Sequence, residues 1–336
     1  MRPLHTIFAL AALLTGATPA AASAQRPFVD TAAHRVLRVC VAPGVALEVL
    51  DWGGTGPALV FLSGFANTGH VFDTFAPRFT ERFRVVTLTR RGLGNSDRPD
   101  PGPYDAATLA ADLKAVLDTL GIARADFAGW TFGGTEMSYF AAANPERTGR
   151  IVYLESYCAP CGDAPPRGRP PLRPAGPPLE PRDTLTPAGA MSRQRRTLGF
   201  AFPEAELRLV TRYGDDGTVR TAVPDFVWQA MGRGVPHPGY EKIQAPALGI
   251  FAERATVDQE FWWARRMNDA VRALAQVYVD VMTQSRRASQ AQFERRMPHA
   301  RAAVVAGANR ALFLSHPDQT ERLMRDFLLA PADSAR

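Results

Sequence analysis

Gly129-Trp130-Thr131-Phe132-Gly133 holds the residue types and the spacing for hydroxyl chemistry. A Gly-x-Ser-x-Gly run between a buried strand and a helix makes a sharp turn that lifts a hydroxyl above a sheet. Ala125 to Ala128 offers the strand end, and Thr135 to Asn144 reads as a helix of small and apolar residues. Gly129 and Gly133 let the two backbones approach around the turn. The apex, however, is Thr131. A threonine hydroxyl can attack an acyl carbon, but a β-branched side chain is an outlier at the positive φ of such a turn. Its methyl also crowds the space a substrate carbonyl must enter. The plainer reading is a buried threonine bonded to a neighbouring carbonyl.

The elements that must position this turn follow from hydrophobic patterning. Val36 to Val41 and Ala46 to Asp51 flank Pro43-Gly44 and predict a hairpin. Ala58 to Leu62, Phe83 to Leu88, Ile151 to Leu154 and Pro246 to Phe251 are short continuous apolar runs, the mark of strands buried on both faces. Helical spacing lies between them over Val71 to Phe83 and Asp105 to Leu120. Ala302 to Val305 reads as a last strand and Ser315 to Leu329 as a closing helix. This alternation predicts an α/β fold with a mostly parallel central sheet flanked by helices. From Ala159 to Pro187 the chain is loaded with Pro, Gly and Arg, and helical spacing then returns over Ala190–Leu198, Pro203–Tyr213 and Asp225–Met231. The expected layout is a signal peptide over 1–24, a core over 25–156 and 245–330, and an inserted helical and Pro-rich cap over 157–244.

The start of the chain reads as an export signal. Arg2 precedes the apolar run Ile7 to Leu14, and Ala22-Ser23-Ala24 is a small-x-small cleavage site. Cleavage before Gln25 predicts a periplasmic or secreted mature protein, with no segment long enough to stay in a membrane. The net charge of +6 comes from scattered arginines interleaved with acids, not from a basic stripe, so nucleic acid is not an expected partner. With 46% hydrophobic and 21% charged residues the chain has the material for a large core. Cys158 and Cys161 are spaced for a small-loop disulfide, Cys40 reads as a small buried hydrophobe, and one C-x-x-C lacks the second pair that a zinc site needs. No metal or cofactor is expected.

Four blocks together carry a resemblance: Leu62-Ser63-Gly64-Phe65, Thr89-Arg90-Arg91-Gly92-Leu93-Gly94-Asn95-Ser96, the Gly129–Gly133 elbow, and Val305-Ala306-Gly307-Ala308-Asn309-Arg310. In order and spacing the chain resembles the α/β-hydrolase family, in its cap-bearing esterase, lipase and epoxide- or haloalkane-hydrolase-like branch. The resemblance implies an oxyanion hole from the backbone N–H groups of Phe65 and Phe132, and puts Thr131 at the nucleophile position. It implies an acid at Glu155, directly after a buried strand. Asp258 is the alternative acid, since Ala255 stands at the other usual position and Glu253 lies close by. The base position holds Arg310 where the family has histidine. A base must release and retake a proton near neutral pH, and an arginine does not. His70 is the candidate substitute, because its loop follows the oxyanion loop; His34, His237, His299 and His316 are weaker ones. The expectation is a hydrolase descendant with a degenerate triad, weak or inactive, binding a small and anionic ligand. The alternative is a working esterase that uses Thr131 with a relocated base.

Overall fold

Buried apolar runs do form the centre of the chain. The computed structural model describes residues 28–156, 172–214, 218–233, 239–297 and 300–331. Residues 1–31 form one unit, and its described part, residues 28–31, has no helix or strand. The second unit is 32–336. The signal segment and the Cys158–Cys161 pair lie outside the described residues.

The hairpin is β1 (Arg35–Ala42) and β2 (Val45–Gly53). Then come β3 (Ala58–Leu62), β4 (Arg84–Leu88), α1 (Ala106–Thr119), β5 (Ala125–Trp130), α2 (Phe132–Ala143) and β6 (Thr148–Leu154). After a gap in description follow α3 (Pro187–Leu198), α4 (Glu204–Val210), the two-stranded pair β7 (Thr211–Tyr213) and β8 (Val219–Thr221), and α5 (Asp225–Arg233). The core resumes with β9 (Ala247–Glu253), α6 (Val257–Glu260), the long α7 (Asp269–Arg296), β10 (Ala300–Ala306), α8 (Leu312–Ser315) and α9 (Pro317–Leu328). One eight-stranded sheet runs β1-β2-β4-β3-β5-β6-β9-β10. Only the pairings of β2 with β1 and β4 are antiparallel. This is the α/β-hydrolase fold: a mostly parallel sheet with helices on its faces.

All five residues of β3 are buried, as a strand covered on both faces requires. Asp105 caps α1 by accepting from the Thr108 N–H at 2.9 Å, which fixes where that helix starts. No described helix is long and apolar enough to cross a membrane.

Three local expectations are corrected. Val71 to Phe83 is not one helix but two short 3-10 turns, Gly69–Phe72 and Ala76–Phe79, the second with a proline in its first turn. Pro203 to Tyr213 is a helix only to Val210; the rest pairs as β7. Cys40, expected inside, is exposed, because β1 is the edge strand and only Val39 of its eight residues is fully buried.

Candidate active site

The turn after β5 is strained in the way its chemistry would need. Thr131 has φ 48° and ψ −111°, and α2 starts at the next residue. Holding a β-branched residue there costs on the order of 1–3 kcal/mol. Three bonds hold it: the Thr131 N–H donates to the Leu154 carbonyl at 3.0 Å, while the Thr131 carbonyl accepts from the Gly134 N–H at 3.0 Å and from the Ser156 hydroxyl at 2.6 Å. A Cβ on Gly133 would lie 2.2 Å from the Leu62 carbonyl oxygen, and one on Gly129 would lie 2.5 Å from the Gly134 nitrogen. Only glycine permits this packing of α2 against β3 and β5.

Among the described residues, Glu155 is the other non-glycine residue with positive φ, again 48°. Trp130 and Leu154 are register partners on β5 and β6, so Thr131 and Glu155 are the next residues along adjacent parallel strands. Both sit at the carboxyl edge of the sheet, where open α/β sheets place ligands. Glu155 is buried, and its Oε1 accepts from the Ala252 N–H at the end of β9.

The loop after β3, where the oxyanion hole is expected, lies beside the apex. A Cβ on Gly64 would come within 2.9 Å of Thr131 Oγ1, and the rings of Phe65 and Phe132 meet edge to face at 5.1 Å. Neither the Phe65 nor the Phe132 N–H donates to a partner among the described residues. Arg90 clamps the loop: fully buried after β4, its guanidinium donates to the carbonyls of Gly64 (2.8 Å) and Ser63 (2.5 Å) and to the Ser63 hydroxyl (3.2 Å). The same guanidinium is ion-paired with the buried Glu136 of α2. One side chain thus ties the oxyanion loop to the elbow helix. The sequence signal for it was only the Thr89-Arg90-Arg91 block, which carries no hint of partners 26 and 46 residues away.

Arg310 stands between two cavities. Its carbonyl accepts from Trp130 Nε1 at 2.9 Å, which draws the loop after β10 back over the end of β5. The first cavity, about 320 Å³, lies over the elbow and is lined by Thr131, Phe65, Trp130, Phe200, Trp228 and Arg310. The second, about 460 Å³, is lined by Glu155, Arg173, Arg254, Glu260, Arg286 and Arg310 among others. Leu198, Asn309 and Arg310 line both. Thr131 and Arg310 therefore share one cavity, and Glu155 and Arg310 the next.

His70, the expected substitute base, lines neither cavity and lies between two carboxylates. Its Nδ1 lies 3.2 Å from Asp73 Oδ2 and its Nε2 lies 3.7 Å from Glu48 Oε1, so both ring nitrogens face carboxylates. Burial works to lower its pKa, but the hydrogen bonds and charges of Asp73 and Glu48 outweigh burial and push it up to about 10. Such an imidazolium has no lone pair to take a proton. Asp258, the alternative acid, has an exposed carboxylate that forms a bidentate pair with Arg272 at 3.0–3.2 Å, and it lines neither cavity. Glu253 is engaged by Arg287 at 2.6 Å. Among the remaining histidines, His34 packs on Trp52 and His70, with ring centroids at 4.6 and 5.4 Å. His316 Nδ1 lies 3.2 Å from Ser315 Oγ, and burial lowers its pKa. Both stand outside the two cavities, and His237 and His299 fall outside the described residues.

The α4 segment reaches the loop after β3 through Glu206, a residue with no signal in its local sequence. Its buried carboxylate accepts from Asn67 Nδ2 at 2.8 Å, from the Thr68 N–H at 3.2 Å and from the Thr68 hydroxyl. Burial raises its carboxyl to about 7, against the hydrogen bonds from Thr68 and Asn67 and the charge of His70. A carboxyl that is raised in the folded protein holds its proton more tightly there than in the unfolded chain. Its contribution is therefore full below pH 4.5 and is lost as pH rises to about 7. The loss across that window is on the order of 3 kcal/mol. Glu206→Gln is expected to flatten that part of the stability profile. Urea unfolding at pH 5 and pH 7.5 checks this; equal pH slopes in the two proteins would refute it. The raised His70 adds a further decline above pH 6.5 that both proteins share.

Residues 57–206 match the family described as alpha/beta hydrolase fold. A protein of Caulobacter segnis named for carbamate hydrolysis, RutD, is 35% identical over 119 residues, which is 35% of this chain and 45% of that protein. A soluble epoxide hydrolase of Corynebacterium sp. (strain C12) is 31% identical over 102 residues, 30% of this chain and 35% of its own length. The chain thus spans less than half of either relative. Among solved structures, an E-2-(acetamidomethylene)succinate hydrolase superposes with a TM-score of 0.61 at 20% identity, over 88% of this chain and 100% of that one. A membrane phospholipase A superposes with a TM-score of 0.61 at 21% identity, over 91% of this chain and 87% of that one. At such identities the structural likeness speaks to fold, and it agrees with the sequence matches. The chain belongs to the α/β-hydrolase superfamily.

Proposed function

We propose that this is a small-ligand-binding protein built on a hydrolase scaffold, with weak or no turnover at Thr131, Glu155 and Arg310. One observation carries the reading. Arg310 stands in the wall that adjoins both Thr131 and Glu155, and no histidine among the described residues lines either cavity. Without a group that takes a proton near neutral pH, the Thr131 hydroxyl remains a poor nucleophile. The ligand is small and anionic in this reading, because a guanidinium in the cavity over the elbow favours an oxyanion.

A second reading rests on the elbow itself. The strained Thr131 backbone and the paired Phe65 and Phe132 are the parts that stabilise a tetrahedral oxyanion in acyl transfer. In that case the protein hydrolyses a small ester with Thr131 as nucleophile. Hydrolysis of p-nitrophenyl acetate and butyrate separates the two. The expected result is a rate no more than ~10³–10⁴-fold over water, the level that binding and oxyanion donors alone can supply. It should be unchanged in Thr131→Ala. Ordinary enzymatic rates abolished by Thr131→Ala would establish the second reading.

Export belongs to the same proposal, with cleavage between Ala24 and Gln25. N-terminal sequencing of the secreted fraction should begin at Gln25; an intact Met1 there would refute export by this signal.

A further inference from the structure

Two cavities with opposite chemistry meet at Arg310. The one over the elbow is walled largely by aromatic rings: Phe65, Trp130, Phe200, Phe202 and Trp228. Its neighbour is rich in guanidinium groups, with Arg173, Arg254, Arg286 and Arg310 set against the carboxylates of Glu155 and Glu260. A single carboxylate oxygen, Glu260 Oε2, serves both Arg286 at 2.8 Å and Arg254 at 3.0 Å. Arg310 makes no hydrogen bond or ion pair through its guanidinium among the described residues, although it fronts both spaces. A guanidinium such as that of Arg310 in a concave wall attracts an anion more strongly than the same charge on open surface, because the protein displaces screening water.

We propose that the two cavities form one site for an amphiphilic anion, with its hydrocarbon or aryl body over Thr131 and its oxyanion head on Arg310, Arg286 and Arg254. The inference rests on the ligand-binding reading above and specifies its ligand class. The aromatic cavity supplies apolar burial for the body but no cation other than Arg310. The basic cavity supplies the planar, forked donors that match a carboxylate or a phosphate. Leu198, Asn309 and Arg310 line both cavities, so the space for the body and the space for the head adjoin. Glu155 then has a second consequence. Its carboxylate lies in the wall of the head cavity and, by repulsion, favours a head of low charge.

Isothermal titration with octanoate, octyl phosphate and 1-octanol tests the assignment. Octanoate should bind at least about tenfold more tightly than octanol, as a charge-assisted hydrogen bond implies. Arg310→Gln should weaken octanoate by about tenfold or more and leave octanol within about twofold. Arg310 is exposed and carries no bond that the fold depends on through its guanidinium, so the variant should melt like the wild type. The octyl phosphate arm fixes the head: tighter binding than octanoate makes it a phosphate, weaker binding a carboxylate. Failure of all three to bind, octanoate no tighter than octanol, or octanoate unaffected by Arg310→Gln would each overturn the proposal. Ester turnover by the wild type would overturn the weak-turnover reading and leave this binding result untouched.

Discussion

Thr131→Ser combined with Arg310→His is expected to raise ester hydrolysis by on the order of 10²-fold or more above the product of the single changes. The single changes should each do little. Serine at the apex removes the branch that is out of place at φ 48°, but it gains no base. Histidine at 310 gains a base within the cavity that Thr131 lines, but it faces the crowded threonine. Together they restore a hydroxyl and an imidazole in a cavity already bordered by the oxyanion loop. Glu155 borders the adjoining cavity with position 310, so Glu155→Ala in the double variant should cut the gain by removing the group that orients the new imidazole. p-Nitrophenyl butyrate kinetics on the full set of variants gives the answer. Simple multiplication of the single effects would show that these positions do not act as a unit.

The second large effect concerns the clamp on the oxyanion loop. Arg90→Met should destabilise the protein by about 3–5 kcal/mol, the usual consequence of breaking a buried ion pair from one side. It strands the Glu136 carboxylate in the core and leaves the Ser63 and Gly64 carbonyls without their guanidinium donor. Adding Glu136→Leu should recover a substantial part, because the worst consequence is the unpaired charge. The pH dependence has a definite sign. Burial raises the Glu136 carboxyl, and the charge of Arg90 opposes that rise. Without Arg90 the folded carboxyl keeps its proton to higher pH, so the variant loses more stability on going from pH 5 to pH 8 than the wild type does. Urea unfolding of both variants at the two pH values measures this. Equal stability of Arg90→Met and the double variant would show that the ion pair is not what holds the loop.

What the sequence determined by itself was set by neighbours close along the chain. The apolar run Ala58 to Leu62 can only be satisfied by burial on both faces, and the spacing of Gly129 and Gly133 suits only a tight strand-to-helix turn. The loop after β3, the elbow and the loop after the last strand were equally readable as backbone shapes, because each is short and has its own residue requirements. The limits of α1 were readable from the helical spacing of Asp105 to Leu120. The short 3-10 turns of residues 69–79 and the β7 ending of the α4 segment were not, because pairing partners and a proline overrode the local spacing. Only the tertiary structure decided the electrostatics of the site. His70 looked like a base from its place in the chain, yet Glu48 on β2 and Asp73 flank its ring and hold it as a cation. Glu206 on α4 and Arg90 after β4 converge on one loop from 138 and 26 residues away. Arg310 reads as a missing histidine in the sequence; in the fold it is also the shared wall of an aromatic and a basic cavity. A charge or a proton affinity is a property of what surrounds a group in space, and folding brings those surroundings together from distant parts of the chain.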